Sequence, residues 1–451
     1  MTRNILNLSS YNVTYVHEDE HDYQISADSI HAPVACSNCQ SHNLIGFGRR
    51  EQLINDLPIH GKRVGIYVNA RRMKCRSCNK TFTEELPDIN TGHKMTQRLV
   101  KWIGEQSINR TFISVAEEVG IAESTVRTIF RNYINQLEEQ IRFETPKWMG
   151  IDEIHIIKKP RCVISNIEHN TAVEVLSDRT KKTVINYLQR LENSDKVRYV
   201  AMDMWKPYRD AIQAALPDAT IVIDKFHVVR MANDALDKIR KEHRSQLTQK
   251  QRRGLMRERY VLLKRRHALN QEDAFKLDGW SKNYPMLGAA YDAKEAFYSI
   301  WDLDSKIDAQ HAYEIWKNGL PEEIKPGYSD LIRAVDNWHQ HIFTYWDHPV
   351  TNAYTESLNS LIRIMNRLGR GYSFEALRAK ILFAHGSYKK KVVKPAVRRR
   401  PRAPDAGSIL SKTTMNDSMF DFSKLNQQQE KVINYGADID ALVEMFSKEL
   451  L

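Results

Sequence analysis

Two aspartates and one glutamate carry the chemistry this chain could most readily do. Asp152 lies in Gly-Ile-Asp-Glu-Ile-His, Asp203 in Tyr-Val-Ala-Met-Asp-Met-Trp, and Glu356 in Thr-Asn-Ala-Tyr-Thr-Glu-Ser-Leu-Asn-Ser. Each aspartate ends or interrupts a short apolar run of strand type, where a buried charge is expensive unless a cation or partner compensates it. Glu356 falls on an amphipathic stretch that reads as helix. Hard oxygen ligands of this kind suit Mg²⁺ or Mn²⁺. Two such ions, about 3.5–4 Å apart, activate the attacking oxygen and stabilise the leaving oxygen of a phosphodiester displacement. Metal-dependent phosphoryl transfer on a polynucleotide is the chemistry the trio implies.

Other carboxylates compete for these roles. Glu153 follows Asp152 directly, so on a strand it points to the opposite face and reads as structural. Asp224, in Ile-Val-Ile-Asp-Lys-Phe-His, also ends a strand-like run and is the main rival to Asp203. Asp203 is favoured because its strand follows a helix, as the fourth strand of an RNase H-like fold should. In that fold two strand-borne aspartates and one helix-borne glutamate hold the metal pair. Asp224 and His227 are then expected at the rim, supporting the metal ligands or positioning DNA.

The elements that must position these groups follow from hydrophobic periodicity. From Trp148 to Lys225 the pattern is β-β-β-α-β-α-β. Strands are expected over 149–157, 161–167, 171–177, 197–203 and 219–224, with helices near 180–192 and 205–215. Asp152 and Asp203 would then sit on adjacent central strands, with the Glu356 helix laid across the sheet. Residues 228 to about 345 read as polar helices. Earlier, residues 1–35 alternate apolar and polar, and 94–142 look helical throughout.

Four of the five cysteines form two Cys-x-x-Cys pairs, Cys36/Cys39 and Cys75/Cys78. Two such turns can aim four thiolates at one tetrahedral Zn²⁺. The 35 residues between Cys39 and Cys75 exceed the usual finger spacing, but a β-ribbon through the alternating run 63–68 can span them. Arg71 and Arg72 lead into the second pair and place cations beside the site. Cys162, alone in a strand-like run, reads as a small buried residue.

Ala116, Gly120 and Val126 have helix-turn-helix spacing: a small residue for close approach, glycine for the turn, and an apolar residue to seat the second helix. Ser124 is expected to cap that second helix, which would present Thr125, Arg127, Thr128 and Arg131 to a major groove.

The 451-residue chain carries a net charge of +11, which suits a polyanionic partner. It has neither an apolar run of spanning length nor a secretory leader pattern, so a soluble, cytoplasmic, nucleoid-associated protein without membrane contact is expected. Between residues 230 and 266 there are 13 Lys/Arg against 4 Asp/Glu, and Arg252, Arg253, Arg257 and Lys264 are candidates for gripping DNA. Residues 389–402 hold 8 basic residues and no acids, and the segment from 403 turns acidic.

Jointly and in order, these features resemble the DDE transposases of bacterial insertion sequences, specifically the ISL three (ISL3) family, over about residues 30–390. The resemblance rests on the two cysteine pairs with Asp56-Leu57-Pro58 and Arg71-Arg72 between them, the helix-turn-helix, and Gly150-Ile151-Asp152-Glu153. It continues through Met202-Asp203-Met204-Trp205, Asp224-Lys225-Phe226-His227 and Asn352 to Asn359. It implies a multidomain α/β protein: a zinc ribbon (1–90), a helix-turn-helix domain (94–145), and an RNase H-like catalytic domain in two parts (148–228 and 346–390). An all-helical insertion (229–345) interrupts the catalytic domain, and a basic linker and acidic tail follow (391–451). It further implies Asp152, Asp203 and Glu356 holding two Mg²⁺ (or Mn²⁺), a structural Zn²⁺, and double-stranded DNA as partner, both terminal inverted repeats and target. A homodimer or higher oligomer on DNA is expected. Two other readings stay open, a non-catalytic domesticated regulator and a metal-dependent endonuclease without joining activity.

Overall fold

In a computed structural model of the protein, residues 6–141, 144–243 and 247–387 are described; the basic run 389–402 and the acidic tail lie outside them. The described residues before Glu144 group with those from Ile364 onward into an amino-terminal unit, and Glu144–Arg363 form a central unit.

The amino-terminal unit begins with β1 (Tyr11–Glu18), β2 (Asp22–Ser29), β3 (Leu44–Ile59) and β4 (Lys62–Cys75), followed by the short strands β5 (Thr81–Thr83), β6 (Ile89–Asn90) and β7 (Met95–Thr96). The sheet runs β1-β2-β4-β3-β7-β6, with β5 on β4. The alternation at 63–68 is the inner part of β4, where Val64, Ile66 and Val68 are buried against Ile25 and Ile54. Three helices follow, α1 (Gln97–Asn109), α2 (Phe112–Val119) and α3 (Glu123–Gln140). Asp56 fastens the sheet to them, accepting from Arg98 Nε at 2.8 Å and from Thr96 Oγ1, the cap of α1, at 2.6 Å.

Gly120 takes the left-handed conformation (φ 74°) that ends α2, as the helix-turn-helix pattern requires. Ser124 does not cap α3. The helix starts one residue before it, behind Ala122, and no side chain caps it. The sequence Ala-Glu-Ser-Thr offered a capping-type serine, but the tight Gly120 turn starts the helix too early for Ser124 to fill that position.

The central unit holds β8 (Trp148–Ile156), β9 (Lys159–Asn166), β10 (Thr171–Val175), α4 (Lys181–Leu188), β11 (Tyr199–Met202), α5 (Lys206–Ala215) and β12 (Thr220–Ile223). These are the strands and helices expected from periodicity, within a few residues at each end. Sheet order is β10-β9-β8-β11-β12. The first three strands form an antiparallel meander, and β11 and β12 run parallel to β8.

Among the described residues, eight α-helices lie between the sheet and Asn352: α6 (Lys225–His243), α7 (Gln249–Arg257), α8 (Arg259–Leu263), α9 (Gln271–Asn283), α10 (Pro285–Ile300), α11 (Lys306–Asn318), α12 (Lys325–Asn337) and α13 (His339–Phe343). They share one apolar core with the sheet, from Ile151 and Met202 through Phe226 and Val229 to Tyr298 and Trp316. Next comes α14 (Ala353–Leu368), which carries Glu356 and whose residues to Arg363 belong to the central unit. The last described helix, α15 (Phe374–His385), belongs to the amino-terminal unit and packs on α1. There Lys380 is buried against the rings of Phe112, Phe130 and Tyr372, donating to the carbonyls of Ser107 and Arg110. Burial, with Arg127 adding to it, pushes the Lys380 ammonium down to about 7.

Candidate active site

Three aspartates line up across the central sheet. Ile151, Met202 and Ile223 are register partners on β8, β11 and β12, so the next residue along each chain segment is Asp152, Asp203 or Asp224. Asp203 and Asp224 directly follow the carboxyl ends of β11 and β12, the end at which open α/β sheets bind ligands, and Asp152 stands level with them in the middle of β8. Asp224 is fully buried and is therefore not at the rim, where the sequence had put it. Its strand belongs to the sheet's parallel half and packs against α13 and the turn Thr344–Trp346.

A polar seam fixes α14 over this row. Asn352 Nδ2 donates to the Ile151 carbonyl at 3.1 Å, Thr355 Oγ1 meets Ser165 Oγ of β9 at 2.6 Å, and Asn359 Nδ2 donates to Asp152 Oδ2 at 2.8 Å. Asn352, Thr355 and Asn359 recur at helical spacing on one buried face. Gly150 gives that face room. A Cβ there would stand 2.5 Å from Ser165 Oγ and closer still to the Asn352 and Thr355 side-chain oxygens. Within Asn352–Asn359 the sequence marks only Glu356 for a role, although the polar stripe at i, i+3 and i+7 is a signal that one face of the helix meets polar partners.

So held, Glu356 brings Oε1 to 3.6 Å from His227 Nε2. One ligand atom each from Asp152, His227 and Glu356 falls within 4.8 Å of the others. Asp203 and Asp224 stand outside that group of three. Burial raises the Asp152 carboxyl to about 7; His227 opposes the shift, and Asp203 and Asp224 add to it. Burial likewise raises Asp203 to about 6, against the pull of the Arg179 guanidinium and with a push from Asp224. Asp224 is raised by burial against His227 and the Phe226 N–H.

Asp203 Oδ1 and Asp224 Oδ2 are buried without a hydrogen-bond donor. Carboxylate oxygens left without donors fit a divalent cation, since ionised carboxylates only accept. Glu153 does turn away from this cluster. It pairs with Arg179, which lies 4.5 Å above the Trp205 ring. Neither Arg179 nor Trp205 was singled out from sequence for a role.

In the amino-terminal unit the four cysteines converge, with Cys36 Sγ 3.8 Å from Cys78 Sγ and Cys39 Sγ 3.6 Å from Cys75 Sγ. A tetrahedron with Zn–S of about 2.3 Å has edges near 3.8 Å, so the spacing fits one zinc. Backbone N–H groups, that of Cys78 first, pull the Cys75 thiol down to about 6 despite burial, which favours the thiolate a metal needs.

Three family models match these regions. Residues 32–78 match the zinc-finger of the transposases of IS204, IS1001, IS1096 and IS1165, and residues 84–134 match the helix-turn-helix domain of transposase family ISL3. Residues 149–381, over half of the chain, match the transposase domain of that family. The chain belongs to the ISL3 transposase family. Among curated relatives of the chain, the transposase for insertion sequence element IS1001 of Bordetella parapertussis is 24% identical over 327 residues, 71% of this chain and 80% of that protein. The transposase for insertion sequence element IS1557 of Mycobacterium tuberculosis is 24% identical over 287 residues, 57% of this chain and 64% of the relative. The helix-turn-helix and transposase domains imply DNA binding, and the zinc-finger match with the four-cysteine cluster supports a structural zinc. No helix among the described residues is long and apolar enough to cross a membrane.

The cations expected at DNA are differently engaged in the fold. Arg71 pairs with Glu84 at 3.2 Å and donates to the carbonyls of Ser29 and His31, so it braces the sheet; Arg72 lies over Phe47. Arg127 is held by Glu123 at 2.6 Å and stacks on Phe112. With Arg131 and Arg378 it lines a cleft of about 460 Å³ between α3 and α15. Thr128 and Arg131 are exposed on α3, and Thr125 is half-buried. On α7, Arg252, Arg253 and Arg257 are exposed, whereas Lys264, just after α8, pairs at 2.8 Å with the buried Asp273.

Proposed function

We propose that this ISL3 transposase binds the terminal inverted repeats of an insertion sequence and carries out strand cleavage and strand transfer on an RNase H-like domain. The sheet order β10-β9-β8-β11-β12, with its antiparallel meander and two parallel strands, supports that fold reading. So does the helical segment lying between the second aspartate and the glutamate. Asp152, Asp203 and Glu356 are the proposed triad, with His227 adjoining Glu356 and Asp224 supporting from below. They would hold two Mg²⁺ or Mn²⁺, which when bound activate the attacking oxygen and neutralise charge on the leaving one. Cys36, Cys39, Cys75 and Cys78 would hold the structural zinc.

The observation that carries this reading is the aspartate row beneath α14, with two buried carboxylate oxygens that have no donor. Burying uncompensated carboxylates destabilises a fold, and burial is the main cause of each raised carboxyl. A scaffold with no catalytic task has no use for that expense. Hydrolysis at the element end would free a 3′-OH, which then attacks target DNA. Asn359 holds Asp152 in place, and the Asn352–Thr355–Ser165 seam sets the height of Glu356 above the sheet. Thr125, Thr128 and Arg131 on α3 would read the repeats, through phosphate contacts with a few base contacts. The partners are duplex DNA and further copies of the chain, in the cytoplasm at the nucleoid.

The test is incubation with Mg²⁺ and a fragment ending in the inverted repeat that flanks the reading frame. Joined product supports the proposal. Cut product alone means an endonuclease, and binding without product means a regulator.

A further inference from the structure

The side chain of Trp205 has no part in the triad, yet it stands two residues from Asp203 and is 37% exposed, unusual for an indole beside a buried cluster. The backbone N–H of Trp205 donates to the backbone carbonyl of Asp203 at 2.8 Å, so the turn that follows the carboxylate also sets the start of the Trp205 side chain. Arg179 covers the ring at 4.5 Å and is tied back to Glu153, the neighbour of Asp152. Its charge is also felt at Asp203, where it opposes the effect of burial. Thus a cation and a solvent-facing aromatic surface are fixed together at the edge of the aspartate row.

We propose that Arg179 and Trp205 form a stacking site for one unpaired nucleotide next to the scissile phosphate, the guanidinium taking a phosphate oxygen and the indole taking the base. The proposal rests on the transposase reading above. Two residues of chain reach at most about 7 Å, so a base on Trp205 is about one nucleotide from a phosphate at Asp203. Every base has a π-face, so such a platform is tolerant of sequence. A base inside a duplex has both faces covered by its neighbours and cannot reach the ring. It must leave the stack, which is easiest where pairing is already weak. Arg179 suits the phosphate because its planar fork donates to two oxygens while its face stays on the ring. Glu153 keeps the guanidinium from turning toward Asp203 and occupying the metal ligands' side.

The experiment uses the full-length protein, without added Mg²⁺, and a duplex carrying the flanking inverted repeat with 2-aminopurine at the nucleotide beside the cleavage position. Anisotropy of a distal label reports binding, and 2-aminopurine emission reports unstacking from its neighbours. The unaltered chain should bind and change the emission. Trp205→Ala should bind with similar affinity and lose the change, whereas Trp205→Phe should retain most of it. With Mg²⁺, Trp205→Ala should cleave the paired duplex about tenfold to hundredfold more slowly, and a mismatch at the same nucleotide should restore most of the rate. Arg179→Gln should slow cleavage without rescue by the mismatch.

An emission unchanged on binding by the unaltered chain overturns the proposal without recourse to any variant. Equal slowing of Trp205→Ala on paired and mismatched duplexes also overturns it, since the ring would then matter only for folding. If the unaltered chain neither binds nor cuts the repeat, the transposase reading itself fails.

Discussion

Replacing Asp152 by asparagine should make the metal-free protein more stable while abolishing cleavage. Burial raises the Asp152 carboxyl from 3.8 to about 7. The folded form therefore binds a proton more tightly than the unfolded one. The resulting penalty is absent below the unfolded value, grows as pH rises, and is complete above about 7. A shift of that size corresponds to about 4 kcal/mol at pH 8. Asparagine removes the charge and keeps the geometry. Its oxygen still accepts from the Glu153 N–H, and its amide faces Asn359, whose Oδ1 has no partner and can be turned toward it. Thermal denaturation at pH 8, without added Mg²⁺ and with zinc retained, should place the D152N transition of the central unit higher by roughly 8–16 °C. The gap should narrow steadily toward pH 4.5. Added Mg²⁺ should raise the transition of the unaltered chain, increasingly so toward pH 8, and leave D152N unmoved. A D152N protein no more stable at pH 8 would refute the idea that charge held without a cation strains this site.

Gly150→Ala should cost about 1–3 kcal/mol by overpacking and should reduce cleavage more than end binding, because the added carbon strikes the Asn352–Thr355–Ser165 seam; paired binding and cleavage assays check this. Metal analysis should find about one zinc per chain, and Cys75→Ser should lose it and end binding together; folded, DNA-binding protein without zinc would contradict the fit. Reversing charge at Arg252, Arg253 and Arg257 should flatten the salt dependence of DNA affinity by up to about 0.9 per contact, measured by titration across salt. Lys264→Glu should instead lower the thermal stability of the central unit, since it would face the buried Asp273.

Much of the central sheet was legible because each strand is a short apolar run, with Asp152 interrupting one run and Asp203 following the end of another. The row was not legible, because only register shows that Asp224 stands level with the other two. The seam was hidden for a different reason. Gly150 and Ser165 make sense only beside Asn352 and Thr355, about two hundred positions away, and no local pattern carries that pairing. Charge was the least reliable guide: Arg71, Arg127 and Lys264 read as free cations, yet each is held by a carboxylate close by in the fold. The turn at Gly120 was plain from one residue, whereas the start of α3 depended on how that turn closes.

Helix α15 gives the amino-terminal unit an unusual order of manufacture. Translation delivers the zinc site and all of α1, α2 and α3 early, but the helix that buries Lys380 among Phe112, Phe130 and Tyr372 comes after Glu356. Until then Phe112 and Phe130 lack their covering wall. A ribosome that stops short of Phe374 therefore releases an unfinished amino-terminal unit with exposed aromatic rings, suited to proteolysis rather than to binding DNA. Every molecule able to finish that unit has already made all three proposed catalytic carboxylates, so truncated products are expected to be poor competitors of the full-length chain.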